Sequence, residues 1–231
     1  GNFEIVQLIC DSNLMTLEIY NWTNELDDSC IYISCLYYKE KILDYLLNNR
    51  FFNKDIIEKE NKYNQHLIMR LISNKCNDLL IKKIINKCKE NKELFNKKDS
   101  SNWNLFMYCC NYTDNLVHYI LDNNLLNEKN LNSLSKSNNS FLILLIKRKS
   151  LDLLKILKKI NLTEKIINNV NDNNESIFTF IDNIDIDSLK YLMNFNINYD
   201  IFKLTSKDNI CPMVKLGSCD YNILDYFIND I

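Results

Sequence analysis

A nine-residue frame recurs six times along this chain of 231 residues and limits its fold more than any other feature. The copies read NELDDSCIY (24–32), NKYNQHLIM (61–69), DSSNWNLFM (99–107), SKSNNSFLI (135–143), NDNNESIFT (171–179) and SKDNICPMV (206–214). The fourth column holds Asp27, Asn64, Asn102, Asn138, Asn174 and Asn209, which lie 37, 38, 36, 36 and 35 residues apart. A period in this range is typical of stacked-repeat solenoids, in which each unit contacts only its neighbours.

The fourth column has a backbone interpretation. A residue that must adopt a left-handed conformation is usually glycine, and Asn or Asp are the best substitutes. All six copies carry one of these two types. We therefore expect a tight turn at each copy, although Asn is abundant throughout the chain.

A second frame follows the first in phase and predicts a helix in every unit. It places apolar residues at spacings of three and four, as in VQLIC (6–10), LDYLL (43–47), IKKII (81–85) and LKYLM (189–193). This spacing puts them on one helix face. A short apolar segment also follows each nine-residue frame. Each unit is thus predicted to contain a turn, a short helix, a tight connection and a second helix.

The composition favours an all-α protein. Two glycines and one proline are too few for many hairpins or flexible linkers. The net charge of −2 gives no basic stripe, so nucleic acid is not expected as a partner except through a larger assembly. No apolar run reaches the length of a membrane span.

The frames resemble the ankyrin repeat family. The family unit reads roughly D-x-x-G-x-T-P-L-H, then a pair of small residues, then a G-H-x-x-x-V-x-x-L-L helix. Here 206–214 is the closest copy of the first half, 1–9 of the second, and NFNIN (194–198) of the closing G-A-D-V-N. The resemblance implies an ankyrin-like solenoid with short or absent β-hairpins. One domain would span 1–231, as a half repeat followed by six repeats.

Three departures from the family matter. The units are longer than the usual 33 residues, the Thr-Pro pair is mostly absent, and larger pairs such as Cys109-Cys110 replace the small ones. We expect the extra residues in loops such as 92–98 and 128–135. Another helical-hairpin solenoid, of HEAT or TPR type, stays an alternative. Because the first unit lacks its turn and first helix and no polar capping helix is visible, we expect either that the chain is part of a longer repeat array or that the missing half is disordered.

No constellation of catalytic or metal-binding residues is found, and no cofactor is expected. The nine cysteines are interpreted as reduced, mostly buried small residues of a cytosolic protein. Of the two histidines, His66 is expected to be packed or hydrogen-bonded in its turn, and His118 to be exposed on a second helix. An enzyme or a metal protein is kept only as a remote alternative.

The resemblance places partner binding on the concave face, at the turn tips and the open side of the first helices. Aromatic and Arg side chains dominate binding energy at interfaces. The predicted contact residues are Trp103, Tyr108, Tyr112, Tyr37, Arg70, Lys147, Arg148, Phe180 and Tyr63. For the run 147–149, a solvated connection competes with this interpretation, and any single residue could belong to the core. Trp22 is expected to pack locally, and the pairs 82–83 and 158–159 to be ordinary polar faces.

The preferred hypothesis is a non-enzymatic scaffold or adaptor that binds another protein. A structural subunit of a large assembly, such as a viral particle or ribonucleoprotein, with contacts on several faces, is the alternative. The bias towards Asn, Lys and Ile suggests an A+T-rich genome, as in some large DNA viruses or protists. We expect a cytoplasmic location, in the host if the protein is viral.

Overall fold

The computed structural model describes residues 2–12 and 14–229, and shows an all-α protein over these ranges. Gly1, the first residue of the stretch 1–9, and Ile231, the last of the predicted domain, lie outside the described part. Extended pairing among the described residues is limited to isolated bridges, such as Thr23 with Ser29. The prediction of an all-α class is therefore confirmed.

The chain divides into two compact units, residues 1–100 and 101–231. The helices of unit 1 are α1 (Phe3–Asp11), α2 (Leu17–Tyr20), α3 (Cys30–Leu36), α4 (Glu40–Leu47), α5 (Asp55–Glu58), α6 (Leu67–Ser73), α7 (Asp78–Cys88) and α8 (Lys92–Asn96). The α-helices of unit 2 are α9 (Leu105–Tyr112), α10 (Asp114–Asp122), α11 (Glu128–Leu131), α12 (Phe141–Lys147), α13 (Leu153–Lys159), α14 (Glu164–Ile167), α15 (Ile186–Met193), α16 (Pro212–Leu216) and α17 (Tyr221–Asn229). Unit 2 also contains the 3₁₀ helices Ile177–Asn183 and Tyr199–Lys203.

Helices of the same kind pack on one another inside each unit. We call the helix that begins at the seventh column of each nine-residue frame a first helix, and the helix after it a second helix. In unit 1 the first helix α3 contacts α6, and the second helix α4 contacts both α1 and α7. In unit 2 the first helices pack in the order α9, α12, Ile177–Asn183 and α16, while α13 lies against α10 and α15.

The second-helix frame correctly marks the core. Most of its apolar positions are buried in both units, for example Leu43 and Leu46 on α4, and Leu189 and Leu192 on α15. Ile9 on α1 is exposed. Each side chain of this size that leaves water contributes about 1.5–3 kcal/mol. Because the apolar stripe of one helix is shielded by its neighbours, the packing of successive helices provides most of the stability.

A third, short helix in each repeat was not predicted. The segments 92–98 and 128–135, expected to be loops, contain α8 and α11. The expectation was wrong: the segment 92–98 is ordered because Phe95 is buried, and Ile57, Ile167 and Phe202 are buried at the equivalent position of other repeats. The equivalent residue of α11, Leu131, is only half-buried; the buried member of α11 is Asn130, which forms a capping box with Asn127.

The left-handed turns predicted for the fourth column are confirmed. The backbone φ angles are 61°, 58°, 63°, 56°, 57° and 60° at the residues Asp27, Asn64, Asn102, Asn138, Asn174 and Asn209. Asn and Asp tolerate this region because their short polar side chains bond locally. Six equivalent turns therefore follow from six equivalent residues.

The side chain in the first column of the frame stabilises the turn by accepting hydrogen bonds from main-chain amides of the same turn. The side-chain oxygen of Asn61 accepts the amide protons of Tyr63 (2.9 Å) and Gln65 (3.0 Å). Asn171 does the same for Asn173 (2.9 Å) and Glu175 (2.9 Å). Asn, Asp and Ser form such side-chain turns readily, which explains why the column contains only these types.

Backbone hydrogen bonds join successive turns within each unit. The amide of the second column donates to the carbonyl of the third column in the preceding turn. The pairs are Ser100 to Tyr63 (2.8 Å) in unit 1, and Lys136 to Ser101 (2.9 Å), Asp172 to Ser137 (3.1 Å) and Lys207 to Asn173 (2.9 Å) in unit 2. Since both atoms belong to the main chain, this joint depends on turn geometry rather than on side-chain type.

The sixth column caps four of the six first helices in the described part of the chain, and His66 and Cys211 are the positions without a side-chain cap. Ser29, Asn104 and Ser140 each accept an amide proton from their own helix. His66 occupies the same position and is completely buried, yet neither ring nitrogen has a hydrogen-bond partner among the described residues. The expectation of a packed histidine is confirmed, but the imidazole is not hydrogen-bonded. Burial, with a smaller effect of the Lys97 charge, lowers the pKa of His66 to about 3.

Replacing Asn174 tests the left-handed turn. Asn174→Ala should lower the free energy of unfolding by about 1 kcal/mol, because alanine disfavours a φ of 57°. Asn174→Gly should change it by less than about 0.5 kcal/mol, since glycine adopts this conformation freely. Urea unfolding followed by circular dichroism gives both values. The neighbouring exposed residue is the control: if Asn173→Ala destabilises as much as Asn174→Ala, the interpretation is wrong.

The buried histidine predicts a pH-dependent stability. His66 stays neutral in the folded chain down to about pH 3 but accepts a proton below about 6.5 when unfolded. The unfolded state then binds more protons, so stability falls as the pH drops from 6.5 towards 3, by about 1.4 kcal/mol per unit. His66→Asn restores a cap and should remove this component. The test is the difference in unfolding free energy between the wild type and the variant from pH 4 to pH 8, and a constant difference would contradict it.

Candidate functional site

Three of the predicted contact residues form an aromatic row on the first repeat of unit 2. The ring of Trp103 meets Tyr108 edge-on at 5.4 Å, and Tyr108 lies parallel to Tyr112 at 6.4 Å. Trp103 belongs to the turn, and the tyrosines are one helical turn apart on α9. Trp103 and Tyr112 are half-buried. Tyr108, expected on the open face, is only 5% exposed, because these two rings flank it.

Phe180 was also expected on the open face and is instead buried, at 7% exposure. The ammonium groups of Lys147 and Lys215 lie over its ring, with their nitrogens 5.1 and 5.9 Å from the ring centroid. Cations are attracted to the face of an aromatic ring. Phe180 thus connects three neighbouring first helices of unit 2 and offers little surface to a partner.

In the run 147–149, Lys147 and Arg148 form ion pairs, whereas Lys149 is exposed. The Lys147 ammonium group lies 3.0 Å from the carboxylate of Glu175, a side chain that is 3% exposed. Arg148 donates from Nε to the Cys110 carbonyl at 2.8 Å and forms an ion pair with Asp114. The two charges therefore link neighbouring repeats of unit 2.

Arg70 has a similar role in unit 1. Its guanidinium group lies 3.9 Å from the ring centroid of Tyr32, pairs with Asp28 and donates to the Asp27 carbonyl at 2.8 Å. One turn further along α6, Asn74 donates to the Tyr32 hydroxyl at 2.9 Å. Arg70 therefore connects α6 to the preceding turn and helix, rather than projecting from the surface.

Tyr37 and Tyr63, both in unit 1, are exposed as predicted. Tyr63 lies at a turn tip, with the Lys62 ammonium group 5.2 Å from its ring centroid. Tyr37 follows α3 and lines an apolar cleft. Trp22, in contrast, was expected to pack locally and is 79% exposed. We predicted the exposure of these side chains from their positions in the repeat. Such a comparison does not show whether a neighbouring helix covers a given side chain.

The second helices carry ion pairs that the sequence analysis missed. Lys83 on α7 lies 2.9 Å from carboxylate oxygens of both Glu40 and Asp44 on α4, and Lys159 pairs with Asp122. His118, expected to be exposed, is half-buried with its Nε2 3.3 Å from Asp152. A Lys one repeat after a carboxylate, or a His one repeat before it, would have been the signal. The pairs are partly exposed, so solvent screens them and each contributes little to stability.

The buried thiols are poorly suited to nucleophilic or metal chemistry. Burial raises the pKa of Cys30 to about 11 and of Cys35 and Cys88 to about 12, so these thiols stay protonated at neutral pH. The thiolate is the reactive and ligating form. In the described part of the chain, no group of three or more His, Cys, Asp or Glu side chains is arranged to hold a metal ion.

None of the helices in the described ranges combines the length and apolar character needed to cross a lipid bilayer. No protein-family model matches the chain, and a search of curated proteins finds no match either. The geometry described above is therefore the basis for any functional conclusion.

Removing the Lys147 charge should destabilise unit 2. In Lys147→Met the buried Glu175 carboxylate keeps the Asn171 amide at 2.7 Å but loses its cation. Uncompensated buried charge is costly, and because Lys147 is half-exposed we expect a loss of about 1–2 kcal/mol. Adding Glu175→Gln should recover part of the loss in urea unfolding. Lys149→Met, on an exposed neighbour, is the control, and an equal loss there would contradict the assignment.

Proposed function

We propose that the chain is a non-enzymatic protein-binding module built from ankyrin-like repeats. The left-handed turns, the turn-to-turn hydrogen bonds and the ordered packing of first helices within each unit support this relationship. The short third helix accommodates the residues beyond the usual 33 of the family. A HEAT- or TPR-like array is supported less well, because it does not account for a left-handed Asn turn before every first helix.

The aromatic row carries the proposal for the binding site. Trp103 and Tyr112 each present part of a large ring, and Tyr108 behind them restricts their movement. Tyr and Trp give large contact areas and are frequent energetic hot spots. Because the row is already ordered, a partner would lose less conformational entropy on binding. In unit 1, Tyr63 at its turn tip is a further contact.

Four of the other predicted contact residues act indirectly in this proposal. Arg70 maintains a turn and a helix of unit 1, while Lys147, Arg148 and Phe180 maintain the first helices of unit 2. These residues stabilise the proposed binding surface but contribute little exposed area to it. Their substitution should reduce binding through loss of stability, whereas Trp103 and Tyr112 should act on binding alone.

A subunit of a large assembly is the second candidate. It is favoured by exposed apolar side chains away from the aromatic row, of which Leu151 and Val214 in unit 2 are among the most exposed. Isolated exposed apolar residues are common in any protein, so this observation is weaker. In either case the unoxidised buried thiols favour a reducing compartment, and we propose the cytoplasm.

Alanine substitution at the aromatic row tests the proposed function. Immobilised wild-type chain should retain a specific protein from native material, and Trp103→Ala with Tyr112→Ala should abolish the retention. Against the identified partner, the double variant should lose about 2 kcal/mol of binding free energy, roughly thirtyfold in Kd. Thermal unfolding should stay close to that of the wild type.

Two matched variants on other surfaces of unit 2 complete the experiment. Lys155→Ala changes an exposed position on the second helix α13 and should not affect retention. Leu151→Ser removes an exposed apolar side chain and should also have no effect. If either weakens retention as much as the double variant, the assembly candidate replaces the binding module. Unchanged retention by the double variant would refute the aromatic row as the site.

A further inference from the structure

An unpaired side-chain amide lies beside the aromatic row of unit 2. Asn111 is half-buried on α9, three residues after Tyr108 and directly before Tyr112. Residues three and four apart share one face of a helix, so Asn111 lies on the face that carries the two tyrosine rings. Within the described ranges, the carboxamide of Asn111 has no hydrogen-bond partner.

The column that contains Asn111 shows that an unpaired polar group is unusual at this position. Four other members are polar, and each has a partner within the chain: Ser73 (Arg70 carbonyl, 2.9 Å), Lys147 (Glu175 carboxylate, 3.0 Å), Asn183 (Ile146 carbonyl, 3.2 Å) and Ser218 (Lys215 carbonyl, 2.8 Å). Polar groups that are withdrawn from water are normally paired. The amide of Asn111 is therefore available to another molecule.

A free carboxamide favours an extended segment over a helix as its partner. The main-chain groups of a helix bond to one another, whereas those of an extended peptide stay available. Asn offers two N–H donors and one carbonyl acceptor to such groups. Because extended pairing among the described residues is limited to isolated bridges, these residues offer no sheet edge to which a strand could add. Side chains must therefore hold the segment.

The spacing of the rings fits a polyproline II helix. The outer rings of the row, Trp103 and Tyr112, are separated by two steps of 5.4 and 6.4 Å through Tyr108. In a polyproline II helix, residues three apart lie on one edge at a separation of about 9 Å. Two such residues can therefore contact the two outer rings. Proline is already restricted to this conformation and packs well on aromatic side chains.

The ion pairs of α12 do not favour a charged segment. Arg148 is neutralised by Asp114, and Lys147 by Glu175. The other two cations of this repeat that could attract an acidic segment are Lys136 and Lys149, both exposed. Because exposed charges act mainly through solvent, salt separates their effect from that of the rings.

We propose that the aromatic row, together with Asn111, binds a proline-containing segment of another protein in the polyproline II conformation. Two prolines three residues apart lie on Trp103 and Tyr112, and the Asn111 carboxamide donates to a main-chain carbonyl between them. This inference rests on the proposed function, since it uses the same row of rings. It adds the class of partner.

Neutral peptides of defined spacing test the proposal on the full chain. The probe is a fluorescein-labelled peptide of about 12 residues, made of alanine and glycine with two prolines in the spacing P-x-x-P. The matched peptide has the spacing P-x-x-x-P, which moves the second proline to another edge of the helix. Fluorescence anisotropy should show saturable binding of the first peptide and at least tenfold weaker binding of the second.

Variants of the row provide the decisive comparison. Trp103→Ala and Tyr112→Ala should each weaken binding of the P-x-x-P peptide at least tenfold. Asn111→Leu should weaken it about fivefold, as expected for the loss of one neutral hydrogen bond. Because the Asn111 carboxamide has no partner within the described ranges, thermal unfolding of this variant should match the wild type. Asn173→Ala, at an exposed asparagine of another turn, should leave binding unchanged.

Three results would overturn the proposal. Equal binding of the two peptides, or full binding by Asn111→Leu, would show that the predicted geometry is wrong. Loss of binding in about 0.5 M NaCl, where exposed charges are screened, would assign the attraction to Lys136 and Lys149. If the P-x-x-P peptide does not bind but Trp103 and Tyr112 still retain a protein from native material, this inference fails and the proposed function stands. If retention also fails, both are refuted.

Discussion

The left-handed turn at the fourth column of each frame is the constraint on which the rest of the structure depends. One residue with φ near 60° reverses the chain, and the first-column side chain closes the turn by accepting amide protons. The closed turn leaves the second-column amide and the third-column carbonyl pointing outwards, where they bond to neighbouring turns within a unit. Main-chain groups that pair in this way fix the spacing of the first helices that follow.

This spacing explains why so many promising contact residues belong to the interior. At the fixed distance, a long side chain on one first helix reaches the ring, carboxylate or carbonyl of the preceding repeat. Arg70 reaches Tyr32 and Asp27, and Arg148 reaches Cys110 and Asp114. Arg is a frequent residue at interfaces between proteins, and here it forms contacts between repeats. In both situations a cation is buried against carboxylates, carbonyl oxygens or aromatic rings. Among the predicted contact residues, Trp103 and Tyr112 in unit 2 stay partly exposed, and Tyr37 and Tyr63 in unit 1 are exposed.

The parts of the fold that depend on local chemistry could be predicted from the sequence. The left-handed turns follow from six Asn or Asp residues at one column, and the buried face of the second helices follows from apolar spacing. The short helices α8 and α11 were missed because their polar residues suggest loops. Burial of Phe95 orders α8, and a capping box between Asn127 and Asn130 stabilises the start of α11. Exposure of Tyr108, Phe180 and Ile33 could not be predicted, since it depends on which neighbours cover each helix.

Amide hydrogen exchange, measured residue by residue by NMR, tests the central claim most directly. The amides of Ser100, Lys136, Asp172 and Lys207 donate to the preceding turn, whereas the amide of Lys62, in the same column, has no such bond among the described residues. If the turns are joined as described, the four amides should be protected to nearly the level of the helices around them, and Lys62 should exchange rapidly. Equal and fast exchange at all five positions would contradict the account.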